Sequence, residues 1–196
     1  AVGTATHVLT SNGAGAAPTF QAAAAGGAWT LISSQTASTS ATLTQTGLDS
    51  SAYAVYAIVI SDFVPGTDNS QIWLRMGDSG GIDSGASDYV HHTQNLSEGD
   101  AAYSAFVSAG SSHIDLTGST GTAAGESMGA VVFLNNLTGF PTVHGTYNGF
   151  NQGTTMLGGT TLGARQAAIT ITQIQVLFEN GNIASGRMSV FGISHA

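Results

Sequence analysis

From Ala28 onward, apolar and polar residues trade places at every second position in short runs, and each run is closed by Gly, Asn, Asp, Ser or Pro. A period of two sends alternate side chains to opposite faces of an extended chain, so the pattern predicts strands. The runs lie at 28–33, 40–46, 51–63, 70–76, 87–93, 102–108, 112–117, 127–135, 142–150, 167–179 and 185–193. Within 70–76, Ile72, Leu74 and Met76 share one face while Trp73 and Arg75 share the other. In 167–179 the apolar parity switches near Gln173, the mark of a bulge or a change of packing face. No segment sustains a 3.6-residue apolar period, and the strong helix formers Lys and Glu are scarce.

Many short strands with turn residues between them, and no self-similar period, predict an all-β fold. The expected form is an antiparallel two-sheet β-sandwich, jelly-roll-like, and not a solenoid. Asn180-Gly181 lies between two apolar runs and predicts a hairpin joining 167–179 to 186–193. Residues 1–27 differ: they are rich in Gly, Ala and Thr, carry Asn12-Gly13 and Pro18, and end in AAAAGG. This stretch predicts an extended N-terminal arm and linker for attachment or oligomerisation, ahead of a sandwich domain at 28–196. Within the arm, VLTSNGAGAAPTFQ (8–21) offers Val8 and Leu9 at one end and Phe20 at the other as apolar anchors for another chain.

Charge is the outlier of the composition. Of 196 residues only 7% are charged, against roughly 25% in an ordinary soluble domain. Lysine is absent, Arg75, Arg165 and Arg187 are the three cations, and the formal net charge is −8. Phosphate contacts need clustered Arg and Lys, so nucleic acid and anionic membrane surfaces are poor partners. The apolar run AVYAIVI (54–60) is far short of the ~20 residues a helical membrane span needs. The uncharged surface must be Ser, Thr, Asn, Gln, Gly and Ala, which packs readily against copies and neighbours. The chain reads as an assembly part. The absence of Cys decides little.

Several longer segments carry a resemblance. YAVYAIVISDFVPGTDNSQIWLRMGDSGGIDSGASDYVH and, much later, ITQIQVLFENGNIASGRMSVFGIS resemble a β-sandwich domain of tailed-bacteriophage structural proteins. VLTSNGAGAAPTFQ is similar to a segment that precedes such domains and recurs in tail-fibre shafts. The likeness covers the arm and both ends of the sandwich, while 94–165 matches only loosely. It implies a non-enzymatic virion protein of tail-fibre or tail-tip type, at the tail or particle surface. Its arm would hold other virion proteins, its sandwich would contact the host surface, and a homotrimer is expected. The alternatives are a capsid or tail decoration (cementing) protein without receptor binding, and a secreted carbohydrate-binding module.

The candidate chemistry is thin. His91 and His92 are adjacent on a predicted strand and point to opposite faces, so they do not ligate one metal together, and both are expected at the surface or an interface. His7, His113, His144 and His195 form no spaced ligand set. Asp78, Asp83 and Asp88 lie in a Gly- and Ser-rich loop that lacks the EF-hand spacing; turn capping is the favoured reading and a calcium site the lesser one. GDSGG (77–81) is identical to the nucleophile motif of chymotrypsin-like proteases, but the family's His segment is missing and the motif falls within the phage-like loop. No catalytic residue, metal or cofactor is expected. In TYNGFNQGTT (146–155), Tyr147, Asn148, Phe150, Asn151 and Gln152 are the candidate contacts to a neutral host glycan. The competing reading is a hairpin turning at Asn148-Gly149 with its aromatics in the core.

Overall fold

The structure is a computed structural model and describes residues 7–22, 28–99, 103–151, 153 and 155–194. Among these residues there is no helix. The strands are β1 (His7–Thr10), β2 (Thr19–Ala22), β3 (Trp29–Ser40), β4 (Leu43–Thr46), β5 (Val55–Pro65), β6 (Ile72–Asp78), β7 (Gly81–Ile82), β8 (Tyr89–Ser97) and β9 (Ser104–Ser111). They continue with β10 (Ile114–Asp115), β11 (Met128–Asn135), β12 (Thr138–Gly139), β13 (Thr142–Phe150), β14 (Met156–Arg165), β15 (Ile169–Thr170), β16 (Gln173–Phe178) and β17 (Ile183–Ile193).

Two antiparallel sheets form the sandwich. The larger has eight strands in the order β3-β17-β5-β11-β13-β14-β8-β9. The smaller runs β10-β6-β16-β4, with β7 paired to β6. Tyr56, Ile58 and Ile60 of β5, and Val132 and Leu134 of β11, are buried in one core cluster with Ile72, Leu74 and Met76 of β6 and Ile174, Val176 and Phe178 of β16. The chain crosses between sheets repeatedly, so most consecutive strands are not partners.

That crossing corrects one expectation. Asn180-Gly181 makes a turn, with Gly181 at φ +75, but not a hairpin. β16 belongs to the small sheet and β17 to the large one, and the turn carries the chain from one to the other. The parity switch near Gln173 is the break between β15 and β16, where Ile171 and Thr172 bond to Leu137 and Gly77 instead of to a strand partner in register.

Asn148-Gly149 is also not a turn. Both residues lie inside β13, opposite Gly129 and Met128 of β11, and β13 runs on to Phe150. Glycine is required there because a Cβ on Gly149 would lie 2.9 Å from the Cα of Met128. β14, unmarked in the sequence pattern, sits between β13 and β8. Its Gly159 and Gly163 let neighbours close in: a Cβ on Gly163 would stand 2.6–2.9 Å from the Ile114 side chain.

The described part of the arm folds back on itself. β1 and β2 pair antiparallel, Leu9 opposite Phe20, and the Asn12 side chain donates to the carbonyl of Ala17 at 2.7 Å across the loop. The Gly-Ala centre is therefore the loop of a hairpin, with Gly13 at φ +96 and Gly15 at φ +84.

Candidate functional site

The widest unusual feature is the outer face of the large sheet. Leu31, Phe191, Ala57, Phe133, His144, Leu162, His92 and Val107 stand directly opposite one another in succession, one from each strand across the sheet. Side chains in one register row share a face, so this is a single apolar and aromatic stripe. Seven interstrand steps make it about 34 Å wide. Trp29 reaches onto it, edge to face with Phe133 at 5.9 Å and tilted against Phe191 at 5.8 Å, while Phe133 stacks on His144 at 5.4 Å. Ala57 is fully buried beneath these rings, yet Leu31, Leu162 and Val107 remain 55–68% exposed.

The rows on either side are uncharged too. On one side run Trp29, Ile193, Val55, Thr142, Ala164 and Val90. On the other run Ser34, Ser189, Val59, Val131, Thr146, Thr160, Gln94 and Ala105, with the Ser34 and Ser189 hydroxyls 3.1 Å apart. A groove of about 600 Å³ runs along His92, His144, Leu162 and their neighbours.

His92 faces this open side and His91 faces inward, as adjacent strand residues must, but His91 is not at the surface: it is buried. Its Nε2 lies 3.1 Å from Asp115 Oδ2, and its Nδ1 3.2 Å from the His113 carbonyl. His113 Nε2 lies 3.2 Å from Asp115 Oδ1, near enough for charge pairing but off the line of a hydrogen bond. The His113 ring lies flat on Trp73, centroids 3.5 Å apart. Burial pushes the Asp115 carboxyl up, but His113 and then His91 outweigh it and hold the group at about 2. The pairing was hidden in the sequence because His91 and His113 lie 22 residues apart.

Ser112 Oγ lies 3.2 Å from His113 Nδ1, so Ser112, His113 and Asp115 stand in the order of a hydrolase relay. A relay needs one hydroxyl on one ring nitrogen and an imidazole that can pass the proton on. Here Ser111 Oγ contacts the same nitrogen at 3.3 Å, the ring is clamped on Trp73, and His91 shares the carboxylate. The Thr93 and Thr161 hydroxyls bond the Asp115 carbonyl at 2.6 and 2.7 Å. The contacts of Asp115 with His91, Thr93 and Thr161 draw the two-residue β10 onto β8 and β14.

The acidic loop divides its three carboxylates. Asp78 Oδ1 accepts from Gly80 N at 2.7 Å and caps the turn that holds Ser79. Asp83 and Asp88 flank Arg165: Nε to Asp83 Oδ2 is 2.9 Å, and Nη2 to Asp88 Oδ1 is 3.1 Å. Nη1 adds a bond to the Asp88 carbonyl at 2.9 Å. Among the described residues, Ser79 of the GDSGG motif bonds no histidine, and no three acidic or histidine side chains gather in a metal-binding group.

Among the described residues, the glycan candidates do not all share one surface. Tyr147 points into the core, donates to the Gln94 carbonyl at 2.9 Å and touches Asn95 Oδ1. Its burial pushes the phenol far above its usual range. Asn148 and Phe150 are exposed on the outer side of β13, Asn151 is half-buried, and Gln152 lies outside the described residues. In the arm, Val8, Leu9 and Phe20 are 50–62% exposed.

No family model, curated protein or solved structure matches the chain.

Proposed function

We propose that the chain is a non-enzymatic structural protein of a tailed-bacteriophage virion, of tail-fibre or tail-tip type. It works by presenting surfaces, with the arm engaging other virion proteins and the sandwich meeting the host surface or copies of itself. The observation that carries the reading is the outer face of the large sheet, three uncharged register rows deep and apolar along its centre. A monomer that works alone in water rarely leaves so wide an apolar surface open. The exposed Leu9 and Phe20 add a second surface of the same kind. The resemblance of the 53–91 and 171–194 segments to phage sandwich domains supplies the class of assembly.

If the sandwich meets a host glycan, that sugar is neutral, because carboxylate and phosphate groups recruit Arg and the chain has only three. Counting copies per particle by quantitative mass spectrometry of purified virions tests the reading. A few tens of copies or fewer fits a fibre or tip. Hundreds would replace it with the decoration protein, and absence from particles would overturn both.

A further inference from the structure

We infer that the outer face of the eight-stranded sheet is the docking surface for a second copy of the chain, the two faces meeting about a two-fold axis. The inference rests on the reading of the chain as an assembly part and names the partner of that surface.

Three arguments favour a copy over any other occupant. The first is area. Three outward positions per strand, about 7 Å apart, over a width of about 34 Å make a band of about 700 Å². A standard stable interface takes about 800 Å² from each partner, so one face against its copy supplies nearly all that is required.

The second is charge. Two copies each carrying a formal net charge of −8 repel, and any contact between them must run through surface that adds no charge. The three rows contain no Asp, Glu, Lys or Arg, and Arg187, next outward from Ser189 on β17, stands beyond the polar row as a rim residue. An apolar centre with a polar margin is the anatomy of a protein interface.

The third is the order of the stripe. Its first half carries the large rings, Phe191 and Phe133 with Trp29 against them, and its second half alternates imidazole with aliphatic side chains at His144, Leu162, His92 and Val107. Turned about a two-fold axis through its middle, between Phe133 and His144, the stripe lays Phe133 on the copy's His144 and Phe191 on its His92, ring against ring. Leu31 then meets the copy's Val107, and the exposed Leu162 meets the ring platform around Ala57. This order favours pairing by two over the three-fold symmetry that the phage resemblance implies.

Sedimentation of the full chain across a concentration series tests this. At tens of micromolar the wild type is expected at twice the monomer mass. Leu162→Glu sets a carboxylate near the axis in both copies and should weaken dimerisation about 100-fold; Leu31→Glu and Val107→Glu, at the stripe's ends, should weaken it about 10-fold. Thr46→Glu, an exposed position on β4 at the edge of the small sheet, should leave it unchanged. If Leu162→Glu does not fold, the two end variants on the edge strands give the same readout.

A wild type that stays monomeric overturns the inference. So does a trimer, or an oligomer that tolerates all three face variants, which would point to the arm or the open sheet edges. A monomer whose binding on a glycan array depends on Leu162 would assign the face to sugar instead. The virion reading fails separately: a dimer absent from particles sinks that reading alone, and a monomer found on particles sinks only the docking surface.

Discussion

Tyr89 on β8 closes the open edge of β6 by bonding both polar groups of Met76. The phenol accepts from Met76 N at 2.8 Å and donates to Met76 O at 2.9 Å, with Asp83 O also 2.9 Å away. β10 pairs with β6 only as far as Leu74 and β7 joins at Gly77, so between them a side chain from the opposite sheet bonds Met76, whose carbonyl also accepts from Asp83 N at 2.9 Å. Burial pushes this phenol up to about 12. Tyr89→Phe leaves Met76 N–H buried without its partner. The expected loss of stability is about 2 kcal/mol, read from the denaturant midpoint.

Asp115 makes the fold acid-sensitive. Its carboxyl is held at about 2 in the fold, below the ordinary 3.8, so the folded state favours the charged form. The contribution is fully present above the unfolded value and is lost as pH falls through the folded one. Stability should decline by about 2 kcal/mol between about pH 5 and pH 2 from this group. Asp115→Asn should be less stable at neutral pH and flatter across that window, as chemical denaturation at several pH values will show. An unchanged acid slope in the variant would contradict the assignment.

Arg165 is a clamp on the 83–88 loop. Arg165→Ala strands two partly buried carboxylates, and a loss of about 3 kcal/mol is expected in thermal or denaturant melts. Arg165→Lys should recover only part of it, since an ammonium cannot reproduce the fork to Asp83 and Asp88. With both carboxylates occupied by Arg165, a calcium chelator should leave the wild-type melting temperature unchanged.

Gly159 fixes the middle of the large sheet. A Cβ there would lie 2.7 Å from the Tyr147 hydroxyl and closer still to the Gln94 carbonyl. Gly159→Ala is expected to cost about 3 kcal/mol, measured by chemical denaturation, whereas Gly47→Ala meets no atom within 4 Å and loses only through its φ of +72.

Alternation alone made β5, β6, β11 and β17 legible, because each buries one face in the core. β14 was not, because Gly158, Gly159 and Gly163 have no side chain to alternate; they answer to neighbours that only the fold supplies. β8 hid its inward face because Tyr89, His91, Thr93 and Asn95 point to the core while Leu96 faces out, which inverts the usual pattern. Asn-Gly pairs misled twice, since a turn-forming dipeptide does not say whether the next strand joins the same sheet. The outer stripe was legible least of all. Its eight members come one from each strand, and their alignment exists only in the register.

Immunogold electron microscopy of intact particles, with antibody raised to the purified chain, locates the protein on the virion. Gold at the tail tip or along tail fibres is the predicted result. Particles that carry no gold, from a preparation in which the antibody recognises the free protein, would contradict it.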